Sequence, residues 1–168
     1  MTWQWLAMLG AGGSAALLFR HHVGFVTKVH ANSMWPTLRP GQLVFTRPLL
    51  HGLRLCHGDI AVVQSAELGQ RVVKRVLGLP GDRLVFGSGG LVRNGGQLIE
   101  AYVVHAGGAS GSWRVPEGHC FVLGDNRAAS SDSRCWRQPF APLQAIVGRV
   151  CVRQLVRHRI EDRRRSGA

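Results

Sequence analysis

The chain is 168 residues long and carries 21 Lys+Arg against 9 Asp+Glu, a formal charge of +12. That length suits one domain with a real hydrophobic core, and the charge favours anionic partners: nucleic acid, phospholipid headgroups or acidic proteins. There is one long apolar run and no internal repeat, so any membrane attachment is expected to be a single span. The basic residues are 19 Arg and only two Lys, Lys28 and Lys74. A lysine kept in a chain that otherwise writes arginine points to chemistry in which the side chain gives up its proton.

Residues 3–19 carry no charged side chain and are rich in Leu, Ala, Gly and Trp. Seventeen residues is the short end of a bilayer span. Trp3 and Trp5 at one end and Arg20-His21-His22 at the other suit the two membrane interfaces. With no basic residue ahead of it, the segment is expected to be an uncleaved anchor rather than a signal peptide. A bare charge count, with Arg20, Lys28 and Arg39 following the segment, puts the domain behind it on the cytoplasmic side.

From Val23 onward the pattern is short and strand-like. Strands are expected over Val23–His30, Gln42–Arg47, Asp59–Val63, Arg71–Leu77, Trp113–Val115, Cys120–Leu123 and Ala145–Val152, bounded by Gly and Pro. Leu91–Ile99 reads as a hairpin whose Asn94-Gly95 suits a type I′ turn. Many short strands and few helix signals predict a mainly β domain over 23–156, with a basic tail at 157–168. The charge is dispersed, without interleaved aromatics or a known module, so no nucleic-acid partner is expected. Cys56, Cys120, Cys135 and Cys151 form no CxxC pair, which leaves buried thiols and one or two disulfides both open. Cys56-His57 and His119-Cys120 match no standard zinc spacing, so no metal is expected.

Ser33, after a β-prone segment and before Pro36, is a candidate nucleophile. A serine hydroxyl needs a base. His30 is close in sequence, but three residues along an extended strand places it on the opposite face. Lys74 lies in the apolar run Val72–Leu77, where burial disfavours an ammonium and leaves an amine able to take a proton. A lysine pointing to solvent is the competing reading from these residues alone.

Four motifs then occur in order. Ser33-Met34-Trp35-Pro36-Thr37-Leu38 resembles the SMxPTL box of type I signal peptidases, membrane-bound Ser-Lys serine peptidases. His57–Val62 resembles their RGDIVV strand, Val73–Asp82 their KRVIGLPGD box, and Gly124–Arg134 their GDNRxxSxDSR box. The resemblance implies a signal-peptidase-like β-rich catalytic domain behind one transmembrane helix. It implies Ser33 as nucleophile, Lys74 as general base, Ser130 orienting that lysine, and Asp132 with Arg134 as a supporting ion pair. The Ser33 backbone N–H is an implied oxyanion donor. Ala31 stands where some members carry a second donor hydroxyl, which leaves Asn32 as a candidate. Val29 and Val73 are candidate pocket residues for small side chains, and strand core is the alternative for both. Asp59, Asp82 and Asp125 are expected to fix turns and pair with Arg, and Gly78, Pro80 and Gly81 to shape the turn after the lysine strand.

The implied activity is removal of signal peptides from preproteins after small residues, at a lipid bilayer and without cofactors. The implied location is the exported face of the cell membrane, opposite to the bare charge count, with the mitochondrial inner membrane as the alternative. A specialised maturation peptidase and a silent peptide-binding paralogue stay open.

Overall fold

The computed structural model describes residues 23–49, 54–107 and 109–152. The expected anchor at 3–19 and the basic tail at 157–168 lie outside the described residues. Among the described residues, no helix is long and apolar enough to cross a membrane.

The described chain is strands and turns, with three short 3₁₀ segments. The strands are β1 (Phe25–Lys28), β2 (Leu43–Pro48), β3 (Ile60–Ser65), β4 (Gln70–Gly78), β5 (Arg83–Gly87), β6 (Gly90–Arg93), β7 (Gly96–Gln97), β8 (Gly111–Arg114), β9 (His119–Leu123), β10 (Ala141–Pro142) and β11 (Ile146–Cys151). The expected mainly β class holds. Two strands were not expected, β5 and the two-residue β10. In β5 the signal was present, because Leu84 and Phe86 are buried between exposed Arg83 and Val85.

One seven-stranded sheet runs β1-β2-β11-β3-β4-β9-β10, and a four-stranded sheet runs β7-β6-β5-β8. All pairings are antiparallel. The small sheet turns at Asn94-Gly95, where φ is 52° and 84°. Both central residues of a type I′ turn need this left-handed backbone, which Asn and Gly tolerate best. The turn after β4 is Leu79-Pro80-Gly81-Asp82, closed by Asp82 N–H donating to the Leu79 carbonyl at 3.0 Å.

Side chains alternate across a strand, and the two faces of β3 and β4 bury different cores. Ala61, Val63 and Val76 pack with Cys120, Val122, Trp136, Ala141 and Ile146. Ile60 and Val62 pack with Val29, Met34, Leu38, Val44 and Val150. A third core, around Leu77, Leu84, Leu91, Phe121 and Leu123, joins the far ends of β4 and β9 to the small sheet. The second core fixes the site, because Met34 and Leu38 bracket the segment that follows Ser33. They are 1% and 0% exposed, and burying a side chain of this kind contributes roughly 1.5–3 kcal/mol.

The four cysteines are free thiols. Cys120 is buried in the first core, and burial pushes its thiol up to about 12. Among the described residues, no three His, Cys, Asp or Glu side chains gather as a metal site.

Candidate active site

Ser33 lies in a 3₁₀ turn, Asn32–Met34. Trp35 N–H closes it on the Asn32 carbonyl at 3.0 Å, and Leu38 N–H reaches the Met34 carbonyl at 2.9 Å. The turn is also held from outside. Asn126 donates its backbone N–H to the Ser33 carbonyl at 3.0 Å and its side-chain amide to the Asn32 carbonyl at 3.3 Å.

Beyond the turn, Thr37 donates its hydroxyl to Asp125. Arg75 grips the same carboxylate twice, Nε to Oδ1 at 2.8 Å and Nη2 to Oδ2 at 2.6 Å, and donates to the Gly58 carbonyl at 2.9 Å. Its guanidinium lies 3.9 Å from the centre of the Tyr102 ring. Tyr102 donates to Glu100 at 2.7 Å, and Glu100 pairs with buried Arg127 at 2.5 Å. Burial works against the Arg75 charge, but the bonded Asp125 outweighs it and raises the guanidinium pKa above its ordinary value.

Lys74 sits in β4 opposite Ala61 of β3 and is 3% exposed. Its Nζ donates to Ser130 Oγ at 2.9 Å. Burial lowers the lysine from an ordinary 10.5 to about 8. Asp132, Cys135 and Asp125 oppose that shift, and Arg134 adds to it.

Asp132 and Arg134 form a fully packed pair, with Nε to Oδ1 and Nη2 to Oδ2 both at 2.9 Å. Gly124 N–H adds a bond to Oδ2 at 3.1 Å, and Arg134 Nη2 reaches the Arg127 carbonyl at 2.9 Å. Burial alone would raise the Asp132 carboxyl. Arg134, the Ser130 hydroxyl and Gly124 N–H instead hold it below the usual range. Gly124 is a close-approach position, since a Cβ there would collide with the Ser130 hydroxyl and the Ser33 carbonyl. The Gly124–Arg134 segment thus meets the Ser33 turn backbone to backbone.

A groove of about 540 Å³ lies between β1, with the residues after it, and the first half of β4. Ser33, Lys74, Val29, Val73 and Ala31 all line it. Val29 and Val73 line the groove; Val29 belongs to the core of Met34 and Leu38, and Val73 packs against it. Among the described residues, no hydrogen bond joins Ser33 Oγ to Lys74; the amine is held by Ser130. Asn32 is exposed and is not among the residues lining the groove.

Of the three motif aspartates, Asp125 and Asp59 meet arginines, Arg75 and Arg149, the latter at 3.5 Å. Asp82 differs from expectation: its partner is His57 at 2.6 Å, with Asn94 and Leu79 N–H each at 2.8 Å. Burial is again outweighed, and the Asp82 carboxyl lies below its ordinary value. Sequence reasoning did not single out Thr37, Arg75, Asn126, Glu100 or Tyr102. Thr37, Arg75 and Asn126 stood inside the motifs, but their convergence is tertiary. Glu100 and Tyr102 fell outside them.

The family described as "Signal peptidase, peptidase S26" matches residues 2–155. The chain is 37% identical over 148 residues to a probable signal peptidase I-1 of Synechocystis, covering 82% of this chain and 74% of that protein. It is 38% identical over 130 residues to the mitochondrial ATP-independent inner membrane protease subunit 1a of Arabidopsis thaliana, covering 76% and 68%. The crystal structure of a signal peptidase I from Enterococcus faecalis superposes with a TM-score of 0.53 at 31% identity, over 60% of this chain and 98% of that one. By motif order, fold and extent of match, this chain belongs to the peptidase S26 signal peptidase family.

Proposed function

We propose that this chain is a membrane-anchored serine endopeptidase that removes N-terminal signal peptides from preproteins after small residues, using Ser33 and Lys74. The observation that carries the proposal is Lys74: a buried amine, lowered to about 8, held by Ser130 in the groove that Ser33 lines. With a value near 8, roughly a tenth to a fifth of such a group is neutral near pH 7 and able to accept a proton, whereas a free lysine or an arginine is almost wholly charged.

In the proposed cycle the substrate enters as an added strand. Among the described strands, β1 pairs with β2 alone, and residues Gln70–Lys74 of β4 pair with β3 alone, while β9 takes the later part of β4. Residues 26–28 of β1 and 70–74 of β4 both line the groove. Val29 and Val73 form a shallow apolar floor that suits alanine-sized side chains. Ser33 Oγ attacks the carbonyl of the scissile bond, and its proton passes to Lys74 Nζ. Closing the Ser33–Lys74 contact is assigned to substrate binding, since catalytic hydrogen bonds tighten in the complex. The Ser33 N–H and the Asn32 amide are the proposed oxyanion donors. Lys74 then protonates the departing amine as the C–N bond breaks. Water attacks the acyl ester and gives its proton to Lys74, which returns it to Ser33 Oγ as the ester C–O bond breaks. Asp132 and Arg134 hold the segment that carries Ser130. No metal or nucleotide enters these steps.

Residues 3–19 are the proposed single span. The catalytic domain is placed on the exported face, where signal peptides emerge, with the intermembrane side of a mitochondrial inner membrane as the alternative. The partners are preproteins and the bilayer.

The test is cleavage of a model preprotein in detergent by the wild type, Ser33→Ala and Lys74→Arg. Both variants are expected to be inactive. Activity in Lys74→Arg would show that no neutral amine is needed. Asn32→Ala addresses the second donor, and unchanged turnover would remove Asn32 from the mechanism.

A further inference from the structure

The groove carries a charge pattern that the proposed chemistry does not use. Besides Lys74 it is lined by Lys28, His30 and Arg71, and by no carboxylate. Seven carboxylate side chains fall within the described residues, and six of them are committed to cations elsewhere: Asp59 to Arg149, Glu67 to Arg137, Asp82 to His57, Glu100 to Arg127, Asp125 to Arg75 and Asp132 to Arg134. Lys28 and Arg71 are exposed and make no ion pair among the described residues.

The two stand at a similar depth along the groove, and because side chains alternate along a strand, Arg71 shares the face of Val73 while Lys28 faces away from Val29, so they address neighbouring substrate residues. Arg71 stands three residues before Lys74 on β4, and Lys28 three residues before Ala31 on the opposite wall. At about 3.3 Å per residue, each lies on the order of 10 Å from the reacting level. An extended peptide spans the same distance in about three residues, and both side chains are long enough to reach one or two residues further. Resting on the signal-peptidase function above, we infer that Lys28 and Arg71 form an anionic subsite. It selects substrates carrying Asp or Glu at the fourth to sixth residue before the cleaved bond.

Peptides with an Ala-x-Ala cleavage site, carrying Asp, Ala or Lys at each of those three positions, test this in neutral detergent. The expected result is cleavage about three- to tenfold faster for Asp than for Ala at one of the positions, and slower for Lys, with the preference shrinking at high salt. The Asp-to-Ala rate ratio should fall toward one in a Lys28→Gln, Arg71→Gln double variant. An Asp placed equally far beyond the cleaved bond is the control for the overall positive charge. An equal gain there overturns the inference, as does a ratio of one at all three positions. Stimulation by anionic vesicles without an Asp preference also overturns it, because the cations would then serve lipid headgroups. If no peptide shows Ser33-dependent cleavage, the proposed function fails and the subsite falls with it; cleavage without the preference removes the subsite alone.

Discussion

Replacing Lys74 with Met should abolish activity and make the protein more stable. Lys74 is 3% exposed, and its pKa falls from 10.5 to about 8 on folding. A group with a depressed folded-state pKa of this basic kind holds its proton more weakly in the folded chain than in the unfolded one. The cost is fully present below the folded value, and it diminishes as pH rises from about 8 toward 10.5, where the unfolded chain also loses the proton. Each pKa unit corresponds to about 1.4 kcal/mol, so the penalty at neutral pH is about 3 kcal/mol and near pH 9.5 about 1.4 kcal/mol. Methionine fills a similar volume without a charge, and Ser130 keeps Asp132 as a partner. Urea unfolding of both proteins at the two pH values isolates the lysine, because every other titrating group is common to them. A Met variant no more stable than wild type, or a gap as wide at pH 9.5 as at pH 7, would refute the claim that folding forces this amine toward neutrality.

The rate of peptide cleavage should rise with pH through a midpoint near 8, following the neutral fraction of Lys74; a flat profile between about pH 6 and 9 would remove the lysine as base. Gly124→Ala places a Cβ 2.5 Å from the Ser33 carbonyl oxygen and 2.6 Å from Ser130 Cβ. The expected effect is a stability loss on the order of 1–3 kcal/mol, with a fall in kcat larger than the melting shift explains. Arg75→Leu leaves Asp125 buried without its cation, at a cost of about 3–5 kcal/mol by chemical denaturation; a change under about 1 kcal/mol would show the Asp125 network to be dispensable.

Strands with alternating or continuous apolar character were legible one by one. β3 and β4 were found within a residue or two of their observed ends because Val, Ile and Leu cluster between Gly and Pro breaks. Asn94-Gly95 was legible because its backbone conformation is a local property. β5 carries a weak signal, because its alternation spans only four residues directly after the Pro80-Gly81 turn. Strand order was not legible. Nothing near β11 in sequence shows that it inserts between β2 and β3. The same limit applied at the site. Ser33, Lys74 and Ser130 stand out from the motifs, and Lys74 also from the scarcity of lysine; Ser33 and Lys74 line one groove, and Ser130 bonds to the lysine. The chain Thr37–Asp125–Arg75–Tyr102–Glu100–Arg127 joins segments whose contact exists only once the two sheets are packed. The bond of His57 to Asp82 joins two motifs that are far apart in sequence and was not legible either.

The Asp132–Arg134 pair bears on how a lysine beside a carboxylate is lowered to about 8. Asp132 is the largest of the influences that raise Lys74, and alone it would favour the ammonium. Arg134 engages both oxygens of that carboxylate and itself pushes the lysine down. With the carboxylate's charge so compensated, burial decides, and the amine comes to rest near 8. The two members of the pair therefore act on the lysine with opposite signs. Asp132→Asn removes the raising influence and leaves Arg134 unopposed, so the midpoint of the pH–rate profile should move to lower pH. Arg134→Gln removes the lowering influence and frees Asp132, so the midpoint should move to higher pH. Breaking a buried pair costs about 3–5 kcal/mol of stability, but a midpoint does not depend on how much of the enzyme stays folded, provided the folded fraction is constant over the assay range. Midpoints that shift in the same direction in both variants, or in neither, would mean that the pair holds the Ser130 segment in place without setting the charge state of Lys74.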